Sequence, residues 1–281
     1  MELDSRTCRS LLLALVGLTF VVAACAPAPE SDPDLPEPAP AESADGNGES
    51  PPADGDPAAT AWFTDAGQVI AAGVERVDVF VFYLHGRIIE EAGRRPEHPE
   101  YGVYEYDRVL TALAVPGVAV ISEARAPQTD ASAYAQTVVE QIGELFAAGV
   151  EPAAVTVVGF SKGGTIALLT SHQLGHDDVG FVVLAACGGW LDDFGLQLRG
   201  RMLSIYEASD RIGTCRPWVE PSLDSLFFHE VELEIGGSHG AFYEPRAEWV
   251  DQTLVWTGAP SVRSQMAEPE RIDVVGSGSS S

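Results

Sequence analysis

A glycine-rich hexapeptide near the middle of the chain, Gly159 to Gly164, constrains the fold more than any other stretch. The residues before it, Ala153 to Val158, are apolar and mostly β-branched, which predicts a buried parallel strand. The residues after it, Thr165 to Leu174, have few β-branched side chains and an apolar stripe at helical spacing. The hexapeptide therefore predicts a sharp strand-to-helix turn with Ser161 at its apex, where small neighbours let strand and helix approach closely.

Buried strand patterns recur through the middle of the chain and alternate with helical patterns. Strands are predicted at 77–84, 118–122, 153–158, 179–186, 202–206 and 229–235. Helices are predicted at 108–114, 131–148, 165–174 and 247–256. Continuous apolar strands that alternate with helices indicate an α/β domain with a mostly parallel central sheet flanked by helices.

The polar stretch 88–107 interrupts this alternation after the first strand. It contains two prolines and several Glu and Arg residues, so it is predicted to be a solvated loop. Its charged run is expected at the surface, with the mouth of a substrate site as the alternative location: Glu90, Glu91, Arg94 and Arg95. Arg125, after the second strand, is expected to form a structural ion pair; binding a substrate carboxylate is the alternative.

The ends of the chain differ in composition from the middle. Residues 1–25 resemble a bacterial lipoprotein signal peptide ending in a lipobox at Cys25; an ordinary secretory signal is the alternative. Residues 26–60 are acidic and rich in Pro and Ala, which predicts a disordered tether, and residues 257–281 are predicted to be disordered too. Residues 61–256 then form one domain, exported to the bacterial cell envelope and lipid-anchored on the periplasmic or surface side of a membrane.

The net charge of −26 restricts the partners of this chain. An acidic surface repels nucleic acid and anionic lipid, so neither is expected as a partner, and the lipid anchor is the one predicted membrane contact. No cysteine pair has the spacing of a metal site, so neither a metal nor another cofactor is expected. A monomer is the expected oligomeric state.

Cys187 and Cys215 follow two successive strand patterns, at 179–186 and 202–206. These strands are expected to be neighbours in the sheet, which would let the two cysteines meet. In an exported protein such a pair predicts a disulfide, with two buried free thiols as the alternative.

Polar residues follow the predicted strands at the sheet edge where functional groups of parallel sheets collect. His85-Gly86-Arg87 follow the first strand, Ser161 the hexapeptide strand, Asp210 a late strand and His239 the last. The order serine, acid, histidine, together with the serine turn, resembles the α/β-hydrolases over most of residues 77–256. The resemblance implies the α/β-hydrolase fold, without a large lid because about 15 residues separate the strands at 179–186 and 202–206.

The resemblance also implies a role for each of these residues. Ser161 would be the nucleophile, His239 the base and Asp210 the acid that orients the histidine. The oxyanion hole would consist of backbone N–H groups, supplied by Lys162 and by Gly86 or Arg87.

Other acidic and histidine side chains compete for these roles or lie near them. Asp192 and Asp193 are the alternative acids, because some family members carry the acid after the preceding strand. His85 is expected to shape the oxyanion turn, and His172 and His176 are expected to be structural or solvated.

The function implied is that of a serine hydrolase of the small esterase or dienelactone-hydrolase-like type. A carboxylesterase or thioesterase would cleave small to medium acyl substrates through an acyl-enzyme. Two alternatives stay open: a small peptidase or amidase of the same fold, and a non-catalytic binding lipoprotein on this scaffold. The bulky, charged Lys162 beside the serine motivates the binding protein.

Overall fold

The computed structural model describes residues 62–260 of the chain. The predicted lipidation site at Cys25, the tether at 26–60 and almost all of the C-terminal tail lie outside these residues. No helix in the described range is long and apolar enough to cross a bilayer.

The described residues form seven α-helices and nine strands. The helices are Ala66–Ala72 (α1), Arg87–Ala92 (α2), Tyr106–Leu113 (α3), Ala131–Ala147 (α4), Lys162–Leu174 (α5), Arg216–Val219 (α6) and Ala247–Thr257 (α7). The strands are Trp62–Phe63 (β1), Val79–Leu84 (β2), Glu97–His98 (β3), Gly102–Val103 (β4), Val118–Ile121 (β5), Val155–Phe160 (β6), Gly180–Leu184 (β7), Gly200–Glu207 (β8) and Leu226–Leu233 (β9).

Seven of these strands form one sheet in the order β1-β5-β2-β6-β7-β8-β9, with every neighbouring pair parallel. Strand β6, which leads into the serine turn, lies at the centre and all of its residues are buried. Val157 belongs to the apolar cluster on one face of the sheet and Val158 to the cluster on the other. Burial on both faces explains why this strand is a continuous apolar run. The parallel central sheet confirms the predicted α/β-hydrolase fold.

Helices cover both faces of the sheet. On one face, α1, α4 and α5 contribute buried residues such as Val138 and Leu168 to the core. On the other, α3 and α7 contribute residues such as Leu110 and Trp249. Burying a side chain of this size stabilises the folded state by about 2–3 kcal/mol, so each helix is held mainly by its apolar face.

The prediction of a solvated loop at 88–107 is only partly correct, because Glu91, Arg94 and Arg95 are exposed but the stretch contains regular structure and a buried charge. The stretch begins within helix α2, and β3 and β4 then pair as a short antiparallel hairpin. Glu90 lies on the buried side of α2, with its side chain fully excluded from solvent. Its ionic partners, Arg125 and Lys162, are distant in sequence, so the hydrophobic pattern of this stretch could not reveal its burial.

The segment between β7 and β8 is short, as predicted. Residues 185–199 contain one 3₁₀ segment, Gly189–Phe194, and no α-helix. The carboxyl edge of the sheet above Ser161 is therefore covered by short connections rather than by an inserted lid.

Candidate active site

Ser161 lies at a strained turn between β6 and α5. Its φ of 53° falls in the left-handed region, which costs a non-glycine residue of order 1–3 kcal/mol. The neighbouring glycines make this turn possible: a Cβ on Gly163 would lie 1.8 Å from the Leu84 carbonyl oxygen, and one on Gly164 would lie 2.3 Å from the Ala186 Cβ. Strand β2, the turn and α5 are therefore in direct backbone contact.

The structure brings Asp210 and His239 together. Asp210 follows β8, and His239 lies on the 3₁₀ segment Ser238–Phe242 after β9. The imidazole Nδ1 is 2.7 Å from the Asp210 Oδ2, and both side chains are largely buried. An Nδ1–H that donates to the carboxylate leaves Nε2 as the nitrogen that can accept a proton.

Ser161 and His239 line the same cleft, which has a volume of about 590 Å³. The His239 ring also packs against Phe160, the residue before the serine, with ring centroids 4.8 Å apart. The cleft thus joins the serine turn to the histidine and, through the histidine, to Asp210.

Glu207, at the end of β8, connects the loop that carries Asp210 to the loop that carries His239. Its carboxylate accepts hydrogen bonds from the N–H groups of Ser209 (2.8 Å) and Gly236 (3.0 Å), and from the Ser209 hydroxyl. Burial would raise the Glu207 pKa, but these hydrogen bonds outweigh it and hold the pKa below its usual value. No local sequence pattern indicates this role.

Asp192 and Asp193, the alternative acids, are placed differently. Asp192 accepts a hydrogen bond from the Trp218 indole at 2.8 Å, and Asp193 is exposed. Of these three acids, Asp210 is the one hydrogen-bonded to His239.

Gly86, Arg87 and Lys162, the predicted sources of the oxyanion donors, line the cleft beside Ser161. Lys162 is the first residue of α5 and Arg87 the first of α2, so neither N–H has the i−4 carbonyl partner available inside a helix. Gly86 lies against the serine turn, since a Cβ at this position would be 3.6 Å from the Ser161 Cβ. The positive end of the α5 dipole adds to the attraction for an anion here.

His85 shapes the turn before Gly86, as expected. Its Nε2 is 2.9 Å from the Arg125 backbone N–H and its Nδ1 is 2.9 Å from the Gly86 carbonyl. Burial, followed by the charge of Arg125, lowers the His85 pKa to about 3. The ring is therefore neutral at physiological pH, with Nδ1–H donating to Gly86 and Nε2 accepting from Arg125.

A buried charged network lies behind this turn. Glu90 pairs with Arg125 through Nε at 2.9 Å and with Lys162 through Nζ at 2.5 Å. The ion pair expected for Arg125 is present, whereas the partnership of Glu90 with Lys162 was not foreseen because no local pattern links residues 72 positions apart.

His172 and His176 each accept one hydrogen bond from a backbone N–H group. The His172 Nδ1 accepts from the Gln197 N–H at 3.1 Å, and the His176 Nδ1 accepts from the Asp178 N–H at 3.2 Å. Both are structural contacts, in line with expectation.

Apolar and aromatic side chains form the walls of the cleft. Trp190 lies near the start of α5, where its indole donates to the Thr165 hydroxyl at 3.2 Å. Tyr101 lies beside the histidine, with its ring centroid 5.9 Å from that of His239. The other apolar lining residues are Ile88, Ala131, Phe160, Phe194, Ile212 and Tyr243, and the charged residues Arg87 and Glu91 line the cleft as well.

A disulfide joins Cys187 and Cys215, which are 28 residues apart in sequence. Both cysteines are buried, and β7 and β8 are neighbouring strands, as anticipated. The bond ties the segment that carries Trp190 to the connection between β8 and β9, so it supports one wall of the cleft.

Removal of this disulfide is expected to destabilise the domain. The double variant Cys187→Ala/Cys215→Ala should lose about 2–4 kcal/mol of unfolding free energy, because its unfolded chain is no longer cross-linked. Urea denaturation of the variant and of wild type, with and without reductant, measures the loss. Reduced wild type should match the variant; unchanged stability in both would contradict a stabilising bond.

No family model and no curated protein matches this sequence. Three solved structures illustrate its structural likenesses. SOBER1 from Arabidopsis thaliana is 14% identical, with 63% of this chain and 99% of that chain covered and a TM-score of 0.40. A lipase-esterase related protein from Clostridium acetobutylicum is 11% identical, covers 65% and 96%, and has a TM-score of 0.44. XC6422 from Xanthomonas campestris, an α/β serine hydrolase without a lid, is 15% identical, covers 69% and 84%, and has a TM-score of 0.41.

At these levels of sequence identity, the likenesses say nothing about the substrate of this chain. The parallel sheet and the serine turn described above are, on their own, those of the α/β-hydrolase fold.

Proposed function

We propose that this protein is a serine hydrolase that cleaves ester bonds of small to medium acyl substrates. The observation that carries the proposal is the 2.7 Å contact between His239 and Asp210, made at the cleft that Ser161 also lines. A hydroxyl becomes a useful nucleophile only when a neighbouring base takes its proton. The hydrogen bond from His239 to Asp210, at a cleft that Ser161 also lines, supports this chemistry here.

The proposed reaction begins with attack of the Ser161 Oγ on the substrate carbonyl carbon while His239 Nε2 takes the hydroxyl proton. Asp210 stabilises the imidazolium, and the N–H groups of Lys162 and of Gly86 or Arg87 donate to the oxyanion. The tetrahedral intermediate collapses as the proton passes to the leaving oxygen or sulfur, which leaves an acyl-serine. Water, deprotonated by the same imidazole, then attacks the acyl group and restores the free enzyme.

The shape of the cleft favours soluble substrates of modest size. A volume of about 590 Å³ falls within the range typical of small-molecule sites. Its apolar lining residues, such as Trp190 and Ile212, suit an uncharged acyl group. The short segment between β7 and β8 provides no broad apolar cap for a lipid surface. A carboxylesterase or a thioesterase fits these features equally well.

A fluorophosphonate probe tests the proposal directly, because it phosphonylates serines that are activated by a neighbouring base. We expect one probe molecule per folded chain, located on Ser161 by mass spectrometry of the labelled peptide. Heat-denatured protein serves as the control and should stay unlabelled. The folded protein should also hydrolyse p-nitrophenyl acetate and butyrate.

Two results would contradict this proposal, one in its choice of nucleophile and the other as a whole. Label on a different serine would show that the assignment of the nucleophile is wrong. A folded protein that takes no label and hydrolyses neither ester would instead favour a binding protein built on this scaffold.

A further inference from the structure

Lys162, the only lysine in the chain, offers its backbone N–H to the proposed oxyanion hole while its side chain is held elsewhere. The Nζ atom is 2.5 Å from the Glu90 Oε2 and 2.6 Å from the Thr129 carbonyl oxygen. The side chain is only 14% exposed. Two strong acceptors therefore fix an ammonium group that would otherwise move freely in solvent.

The contacts continue from Glu90 to the turn on the other side of the oxyanion hole. The second oxygen of Glu90 accepts from the Arg125 Nε at 2.9 Å, and neither side chain is exposed at all. Arg125 in turn donates from its guanidinium to the His85 carbonyl and from its backbone N–H to the His85 Nε2. An unbroken series of polar contacts thus runs from Lys162 through Glu90 and Arg125 to His85.

The two ends of this series are the two sources of oxyanion donors. Lys162 supplies one N–H directly, and His85 immediately precedes Gly86, which with Arg87 is the source of the other. Buried ion pairs seldom add net stability, because desolvation of the charges offsets their attraction. A buried network at this position therefore needs an explanation other than stability.

We propose that Glu90 is a positioning residue that fixes the spacing of the oxyanion donors, through Lys162 on one side and Arg125 on the other. This inference rests on the proposed function and assigns a role to the charged residue beside the nucleophile. Because donors at a fixed distance stabilise the transition state without reorganisation, loosening them slows chemistry more than substrate binding.

Lys162→Met is the first test, because it removes the ammonium group while keeping the backbone N–H and the buried Glu90–Arg125 pair. We expect kcat for p-nitrophenyl butyrate to fall about 10- to 100-fold with KM nearly unchanged. The rate constant for fluorophosphonate labelling should fall by a similar factor. Its final stoichiometry should stay at one per chain, which shows that the loss does not come from unfolded protein.

Three further variants separate positioning from other effects. Lys162→Arg should recover most of the lost kcat, because a guanidinium can still pair with Glu90. Glu90→Gln keeps both cations and should also lower kcat, whereas a direct charge effect on the oxyanion would leave kcat unchanged or raise it. Asp177→Asn breaks an exposed ion pair with Arg199 and is the matched control, with no change in kcat or KM expected.

The inference is overturned if Lys162→Met retains the kcat of wild type per labelled site, or if it changes KM alone. It is also overturned if Glu90→Gln folds and keeps full kcat. Should Glu90→Gln fail to fold, the comparison of Lys162→Met with Lys162→Arg still decides the question. A wild type without any hydrolase activity would refute the proposed function, and the positioning role with it, whereas an active wild type with an unaffected Lys162→Met refutes the positioning role alone.

Discussion

Ser161→Ala is expected to lower kcat for p-nitrophenyl butyrate by about 10⁵- to 10⁶-fold, because the chain would lose the atom that attacks the substrate. Alanine keeps the Cβ and the backbone of the turn, so the melting temperature should stay close to that of wild type. KM should change little, since the hydroxyl contributes mainly to the transition state. Steady-state kinetics at protein concentrations determined by absorbance, together with a thermal melt, measures both effects.

The Asp210→Asn variant tests whether Asp210 is the acid that supports His239. An asparagine at this position can hydrogen-bond His239 but no longer stabilises its positive charge or selects the right tautomer, so kcat should fall by about 10⁴-fold. Combining Asp210→Asn with Ser161→Ala should lower kcat no more than Ser161→Ala alone, because the two residues act as a unit.

Asp192→Asn, at an alternative acid, is the control and should leave kcat within about twofold of the wild-type value. A loss at Asp192 as large as that at Asp210 would contradict the assignment of the acid.

Gly163→Ala is expected to destabilise the domain severely. Its Cβ would lie 1.8 Å from the Leu84 carbonyl oxygen, which belongs to the backbone of β2 and cannot rotate away. The start of α5 would have to move from the sheet, at a cost of about 4 kcal/mol or more. Activity should fall as well, because the same movement separates Lys162 from Gly86. Urea denaturation and esterase assays report the two effects.

Gly143→Ala is the matched control for this substitution. Gly143 lies inside α4 and is exposed, and a methyl group added there would meet no atom within 4 Å apart from its chain neighbours and the backbone of its own helix. The same chemical change should therefore stabilise the domain by about 0.5–1 kcal/mol, since alanine is the better helix former. Equal behaviour of the two variants would contradict the close packing of α5 against β2.

Much of the architecture can be predicted from local patterns. Strand β6 and helix α5 are evident because one is an apolar, β-branched run and the other has helical spacing. The helix predicted at 131–148 agrees with α4 to within a residue, because Asp130 marks its beginning and Gly149 follows it. Patterns of this kind extend over only a few residues, so they can be read without knowledge of the fold.

Contacts between distant residues cannot be predicted in the same way. The charges of the stretch that contains Glu90 suggest solvent exposure and therefore favour a solvated loop. In the structure that carboxylate is buried, since Arg125 and Lys162 offset the cost of taking it out of water. The role of Glu207 escapes sequence reasoning for a similar reason, because its partner Gly236 lies 29 residues away.

Apolar periodicity and glycine spacing were enough to predict the alternation of strands and helices, the serine turn and the order of candidate residues along the chain. Apolar periodicity and glycine spacing suffice for these features because each pattern extends over only a few neighbouring residues. The family resemblance predicted Asp210 as the partner of His239 with Asp192 and Asp193 as alternatives, and the folded arrangement decided among them. The link between Glu90 and Lys162 appeared only in the folded arrangement. Each depends on the packing of separate elements, which sets whether two side chains come within hydrogen-bonding distance and are shielded from water.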